Sequence, residues 1–70
     1  MIYLLKTKGT AKIPDYIQIR DESFQLIAHC KVSVAIRTLA KHGISVKVEN
    51  LEAFIEQLPI GKLTPIQEQS

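Results

Sequence analysis

The chain has 70 residues, a single cysteine and a formal net charge of +2. One cysteine excludes an internal disulfide framework, and the apolar runs are too short to cross a membrane. The start of the chain lacks the basic, apolar and small-residue pattern of a signal peptide, so we expect a cytoplasmic protein in a reducing compartment. This length predicts one small α+β domain at residues 1–63, with a frayed C-terminal tail at 64–70.

The first half of the chain predicts three strands. A short apolar run at 2–5 is typical of a strand, and a polar, basic connection follows at 6–14. Residues 16–20 and 24–30 alternate between apolar and polar side chains, as strands with one buried face do. The Asp-Glu-Ser segment at 21–23 has turn chemistry, because short polar side chains bond their own backbone. The two alternating segments therefore predict a β-hairpin.

The second half predicts a helix, a strand and another helix. Apolar residues at three- and four-residue spacing predict a first helix at 33–42. Gly43 follows it and suits the left-handed conformation that ends many helices. Residues 44–49 alternate without a break and predict a strand. Asn50 is a suitable N-cap for a second helix at 51–58.

These elements predict an α+β fold, a two-layer sandwich of a mixed four-stranded sheet with two helices on one face. The element order is β-β-β-α-β-α, and a further short edge strand fits residues 60–63. Short connections around the first helix predict that 24–30 and 44–49 are parallel, joined by a right-handed crossover. The residues expected in the core are Ile17, Ile19, Phe24, Leu26, Ala28, Ile36, Leu39, Ile44, Val46, Val48, Phe54, Ile55 and Leu58.

A two-layer fold leaves one face of the sheet bare, and we call this the open face. The alternation predicts that it is lined by Tyr16, Gln18, Arg20, Gln25, Ile27, His29, Ser45 and Lys47. Tyr3 joins them if the first strand has the matching phase, which its continuous apolar run leaves undecided.

The mixture of aromatic, amide and cationic side chains suits association with another protein, including a second copy of this chain. We therefore interpret the protein as a non-enzymatic interaction module acting through the open face. The alternative is a weak single-stranded nucleic-acid binder, in which rings stack on bases and a basic loop of Lys6, Lys8 and Lys12 contacts phosphates. A solvated sheet face without any partner also fits the pattern.

Catalytic and metal chemistry have little support in the sequence. His29 and Cys30 are neighbours on a predicted strand, so their side chains point to opposite faces. His42 is explained as a cation at a helix end. One cysteine and two histidines without paired spacing do not make a four-ligand zinc site. We therefore expect no enzyme activity, no cofactor and no metal ion.

Overall fold

A computed structural model describes residues 1–69 and confirms the α+β class, with one open four-stranded sheet and two α-helices. The elements are strands β1 (Ile2–Thr7), β2 (Tyr16–Arg20), β3 (Leu26–Lys31) and β4 (Leu63–Ile66), and helices α1 (Ala35–Lys41) and α2 (Leu51–Glu56). A short 3-10 turn, Val32–Val34, connects β3 to α1. Both helices contribute side chains to one core with β1, β2 and β4. The sheet and the helices thus form two layers.

The sheet has the strand order β3-β2-β1-β4, and neighbouring strands are antiparallel. The prediction of a mixed sheet, in which 24–30 lies parallel to 44–49, is therefore wrong. β4 occupies the place beside β1, with Leu4 opposite Thr64. Its inward side chain, Ile66, is buried in the core. Burial of this isoleucine explains why 63–66 takes the edge of the sheet.

Residues 44–49 are half-buried on alternate residues but lie outside the four strands, so the prediction of a strand there is wrong. A single antiparallel bridge joins Val46 to Glu68. The Lys47 N–H donates to the Gln67 carbonyl at 2.9 Å. This segment therefore pairs with the chain that follows β4.

The C-terminal segment is ordered into the fold instead of frayed. Residues 64–66 belong to β4, and the Gln69 N–H donates to the Ser45 carbonyl at 2.8 Å. The prediction of a frayed tail is wrong for these residues, because Ile66 supplies core area that a free tail would leave in water. Ser70, the last residue of the predicted tail, lies outside the described residues.

The buried core is apolar and is shared by the sheet and the helices: Ile2, Leu4, Ile17, Ile19, Ala35, Leu39, Ile55, Leu58 and Ile66. Three predicted core residues are exposed instead, namely Phe24 at 51%, Leu26 at 52% and Ile36 at 43%. Ile36 points outward because α1 turns Ala35 and Leu39, four residues apart, toward the sheet. Phe24 and Leu26 are turned away from the core by the turn and the strand register of the hairpin.

A β-bulge in the hairpin explains the exposure of Leu26. Ile19 lies opposite Ala28, but Arg20 lies opposite Leu26, so that Ile27 is an extra residue in β3. An extra residue reverses the inward and outward alternation beyond it. Ile27 consequently packs against the core, and the prediction that it lines the open face is wrong.

The loop between β1 and β2 is held by its own hydrogen bonds. The Gly9 N–H donates to the Asp15 carboxylate at 2.7 Å, and the Thr10 N–H donates to the Ile13 carbonyl at 2.8 Å. The backbone of Ile13 and Pro14 passes so close to Gly9 that a Cβ there would overlap the Ile13 carbonyl oxygen. This close approach, not an unusual backbone angle, requires glycine.

We expect Gly9→Ala to lower the free energy of unfolding by about 1–3 kcal/mol, the usual cost of forcing an extra group into a packed site. Urea unfolding followed by circular dichroism measures this change. Lys8→Ala is the matched control, because Lys8 is exposed. The unfolding midpoint of this variant should stay close to that of the wild type. An unchanged midpoint for Gly9→Ala would contradict the described path of the loop.

Candidate functional site

The open face consists of the outward side chains of the four strands, and strand register arranges them in rows. The first row is Pro65, Tyr3, Arg20 and Leu26, the second is Leu63, Leu5, Gln18 and His29, and the third is Thr7, Tyr16 and Lys31. Both helices pack on the other side of the sheet, where the inward residues are buried. The face is therefore a broad surface with apolar, aromatic and cationic side chains.

Four of the eight predicted face residues lie where the alternation placed them. Tyr16, Gln18, Arg20 and His29 line the face, and Tyr3 joins them because Ile2 and Leu4 point into the core. Gln25 lies in the hairpin turn, where its N–H donates to Asp21 Oδ1 at 3.0 Å. Its predicted position on a strand is wrong because β3 begins only at Leu26.

The two residues predicted from the 44–49 segment lie outside the four strands whose outward side chains form the open face. Ser45 and Lys47 are exposed, but they belong to the segment that pairs with residues 67–69. Their predicted place on the face required 44–49 to be a strand of the sheet, parallel to 24–30. The fourth strand of the sheet is β4 instead. The prediction of Lys47 as a face residue is therefore wrong.

Arg20 is fixed on the open face by hydrogen bonds from three of its nitrogens. Nε and Nη2 donate to Gln18 Oε1 at 3.1 and 2.7 Å, and Nη1 donates to the Phe24 carbonyl at 2.8 Å. Gln18 and Arg20 point to the same face because they are two residues apart on one strand. The guanidinium is consequently held in one orientation beside the hairpin turn.

Aromatic rings lie in pairs across neighbouring elements of the face. The rings of Tyr3 and Phe24 have their centroids 4.8 Å apart, with the planes inclined at 49°. The rings of Tyr16 and His29 are 5.0 Å apart and inclined at 44°. Tilted rings at these distances attract each other and keep their side chains in defined positions.

Phe24 has an unusual backbone conformation, with φ at +64°. Within residues 1–69 it is the one residue other than glycine with a positive φ. The turn enforces this angle, because the Phe24 N–H donates to the Asp21 carbonyl at 2.9 Å while Asp21 Oδ1 accepts the Ser23 N–H at 2.8 Å. Bulky residues rarely adopt this conformation, which costs roughly 1–2 kcal/mol. The hydrogen-bonded turn thus places the exposed Phe24 ring against Tyr3 on the open face.

We expect Phe24→Gly to change the free energy of unfolding by less than about 1 kcal/mol. Glycine relieves the strain of the positive φ, while the lost ring contact and the added freedom of the unfolded chain offset that gain. Urea unfolding of the variant and of Phe54→Ala provides the comparison, since Phe54 packs against the core and its removal should cost more. A loss for Phe24→Gly as large as that for Phe54→Ala would contradict this account of the turn.

The strands of the sheet contain no carboxylate between residues 1 and 69, so the charged groups on the open face are the cations Arg20 and Lys31. Glu22, in the neighbouring turn, forms an ion pair with the Met1 ammonium at 2.8 Å. The hydrogen bond that this ammonium donates to the Glu22 carboxylate raises the pKa of the ammonium above its usual value. The open face is therefore electrostatically positive and has no internal carboxylate to neutralise it.

The sequence predicted Lys6 as a member of a basic loop, and this prediction is wrong. Lys6 is the third inward residue of β1 and is only 8% exposed. Its Nζ donates to the carbonyls of Ile55 and Glu56 at 3.2 and 2.9 Å. These carbonyls end α2, where a cation is favourable because it meets the negative end of the helix dipole. The loop thus keeps only Lys8 and Lys12 as exposed members of the predicted set.

His29 and Cys30 lie on opposite faces of β3, as their neighbouring positions on a strand predict. Cys30 packs against the core, whereas His29 is exposed on the open face. No three His, Cys, Asp or Glu side chains within residues 1–69 lie close enough together to hold a metal ion. Neither helix of this part of the chain is long and apolar enough to cross a membrane.

A cavity of about 360 Å³ lies between the two helical segments, away from the open face. It is lined by Val32, Ser33, Ile36, Glu52, Ile55 and Glu56, none of which was predicted as a site residue. Its apolar walls come from helix positions, and its two carboxylates are one helical turn apart. The predicted functional residues therefore converge on the sheet and not on this cavity.

Sequence reasoning missed several apolar members of the open face: Leu5, Phe24, Leu26, Leu63 and Pro65. Phe24 and Leu26 were assigned to the core because simple alternation does not reveal the turn and the bulge. Leu63 and Pro65 were missed because β4 was not predicted as a full strand. The signal available for β4 was the cluster of apolar residues near the end of the chain.

Comparison with known proteins adds no functional residue to this surface. The chain matches no protein-family description, no curated protein and no solved structure.

Proposed function

We propose that the protein is a non-enzymatic interaction module that binds another protein through its open face. The observation that carries this proposal is an uncovered sheet face on which Leu5 and Leu63 adjoin the Tyr3–Phe24 ring pair and the fixed Arg20. Tyrosine and arginine are the side chains that most often dominate protein interfaces. A contiguous exposed surface of this kind is typical of an interaction site.

A protein partner fits this face better than a nucleic acid does. Lys6 is bound to the end of α2 and does not contribute a phosphate contact. The remaining cations of the face, Arg20 and Lys31, are few for a surface that binds through phosphate neutralisation. Aliphatic side chains such as Leu5 and Leu63 offer no stacking platform for bases. They do supply the apolar area that protein interfaces bury at their centres.

A different protein also fits better than a second copy of this chain. In a two-fold symmetric pair, the same surface of both copies forms the interface. The strands that Arg20 and Lys31 would then face contain no carboxylate, and the carboxylates of the adjoining turn, Asp21 and Glu22, already have partners within the chain. Complementary charge is what fixes register and suppresses wrong partners. We therefore expect the partner to be a protein with its own acidic groups.

Photo-cross-linking from the face tests this proposal. A benzophenone amino acid replaces Leu26 on the open face or, as the matched control, Ala40 on α1, and both positions are exposed. We expect a specific protein of the native cell extract to cross-link at position 26 and not at position 40. After purification, that protein should bind the wild-type chain directly, and Phe24→Gly should weaken this binding while the fold persists.

Three results would contradict the proposed function. Equal cross-linking from both positions would show that the open face is not selective. Cross-links only to a second copy of the chain would show self-association instead. Cross-links only to nucleic acid would support the alternative interpretation.

A further inference from the structure

We infer that Arg20 is the group through which the open face recognises a carboxylate, so that the bound partner presents an Asp or Glu side chain flanked by apolar residues. This inference rests on the proposed function, because it specifies the chemistry of the partner on the same face. It concerns one side chain whose position is set by Gln18 and by the hairpin turn.

The hydrogen bonds of Arg20 leave part of its guanidinium available. A guanidinium has five N–H donors. Three are used, one each from Nε, Nη1 and Nη2. Each terminal nitrogen therefore keeps one N–H that has no acceptor within residues 1–69. A carboxylate is the acceptor that a planar guanidinium binds best, since two oxygens can meet two N–H groups.

The acceptors on Arg20 also hold it in place before a partner arrives. Gln18 Oε1 accepts two of its N–H groups, and the Phe24 carbonyl accepts a third. An arginine that is already ordered loses little side-chain entropy on binding, which increases affinity. The strained turn at Phe24 contributes directly, because it presents the carbonyl that fixes Nη1.

The surroundings of Arg20 favour an acidic segment with apolar neighbours. The carboxylates of the adjoining turn are already engaged, Glu22 with the Met1 ammonium and Asp21 with the N–H groups of Ser23 and Gln25. Tyr3 lies opposite Arg20 on β1 and packs against Phe24. A partner carboxylate reaching Arg20 would thus be flanked by apolar contacts, and charge-assisted hydrogen bonds are stronger where water is partly excluded.

Calorimetric titration of the full chain with matched peptides tests this inference. The probes are acetyl-Leu-Glu-Phe-Glu-Leu-amide, the same peptide with glutamine in place of glutamate, and a short oligothymidylate. We expect the acidic peptide to bind about tenfold more tightly than its glutamine counterpart, the ratio that one charge-assisted pair supplies. Arg20→Gln should remove this ratio, and Arg20→Lys should restore only part of it. Arg37→Gln, at an exposed position on α1, is the matched control and should leave the ratio unchanged.

The outcomes separate this inference from the proposed function. If both peptides bind equally and Phe24→Gly weakens both, the open face binds proteins but the role of Arg20 is wrong. If the oligothymidylate alone binds, both the role of Arg20 in carboxylate recognition and the protein partner are wrong. If neither peptide binds while the partner cross-linked at position 26 does, the proposed function stands and carboxylate recognition in a short segment is overturned.

Discussion

Leu4→Ala is expected to lower the free energy of unfolding by about 2–5 kcal/mol, whereas Leu5→Ala is expected to lower it by about 1 kcal/mol or less. The two leucines are neighbours on β1, but Leu4 is fully buried beneath the helices and Leu5 is half-buried on the open face. Removal of the Leu4 side chain leaves a cavity in a packed core. The same removal at Leu5 leaves no cavity, because water reaches the site.

Urea unfolding of both variants measures this difference, and the identical chemistry of the two substitutions makes each the control of the other. A similar loss for both leucines would mean that both faces of the sheet are covered. The open face would then be unavailable to a partner. A larger loss for Leu5→Ala would mean that Leu5 points into the core and Leu4 points to the open face.

Lys6→Met is expected to lower the free energy of unfolding by about 1–3 kcal/mol, the cost of leaving buried hydrogen-bonding groups without partners. Methionine keeps much of the apolar stem but donates no hydrogen bonds, so the carbonyls of Ile55 and Glu56 lose their donor. The favourable cation at the end of α2 disappears as well. The helix is short, so its last turn should fray in the variant.

Lys8→Met is the matched control for Lys6→Met, because Lys8 is exposed. Its free energy of unfolding should stay within about 0.5 kcal/mol of the wild-type value. Urea unfolding gives the stabilities, and amide hydrogen exchange of residues 54–58 reports the fraying. If the two lysine variants were equally stable, Lys6 would be a solvated lysine, and the basic-loop interpretation would regain its third member.

The local elements of the fold were largely predictable, because their signals lie in neighbouring residues. The Asn50 side chain accepts the Ala53 N–H at 3.2 Å and caps α2, as the sequence indicated. Gly43 has φ of +70° after α1, in the conformation that glycine allows. The start of α1 differs, because a 3-10 turn precedes it and its N-cap, Val34, makes no side-chain hydrogen bond.

The pairing of the strands was less predictable, because it depends on contacts between distant parts of the chain. The bulge at Ile27 is visible only in the register of β3 against β2. The place of β4 depends on whether Ile66 or the 44–49 segment buries more apolar area by lying beside β1. Alternation alone assigns faces within a strand and does not select its neighbour.

The candidate site shows the same division between local and distant information. The outward positions of Gln18 and Arg20 follow from their spacing on β2. The hydrogen bonds of Lys6 could not be predicted, because they join residues about fifty positions apart. A lysine among polar residues is normally solvated, and it is buried here only because the end of α2 supplies acceptors.

Methyl NMR of the complex with the cross-linked partner tests most directly whether the open face is the binding surface. The methyl signals of Leu5 and Leu63 report on that face, and those of Ile36 report on the exposed side of α1. We expect partner binding to shift the two leucine signals and to leave the Ile36 signals in place. Shifts confined to Ile36, with Leu5 and Leu63 unchanged, would place the partner on the helical layer and contradict the proposed function.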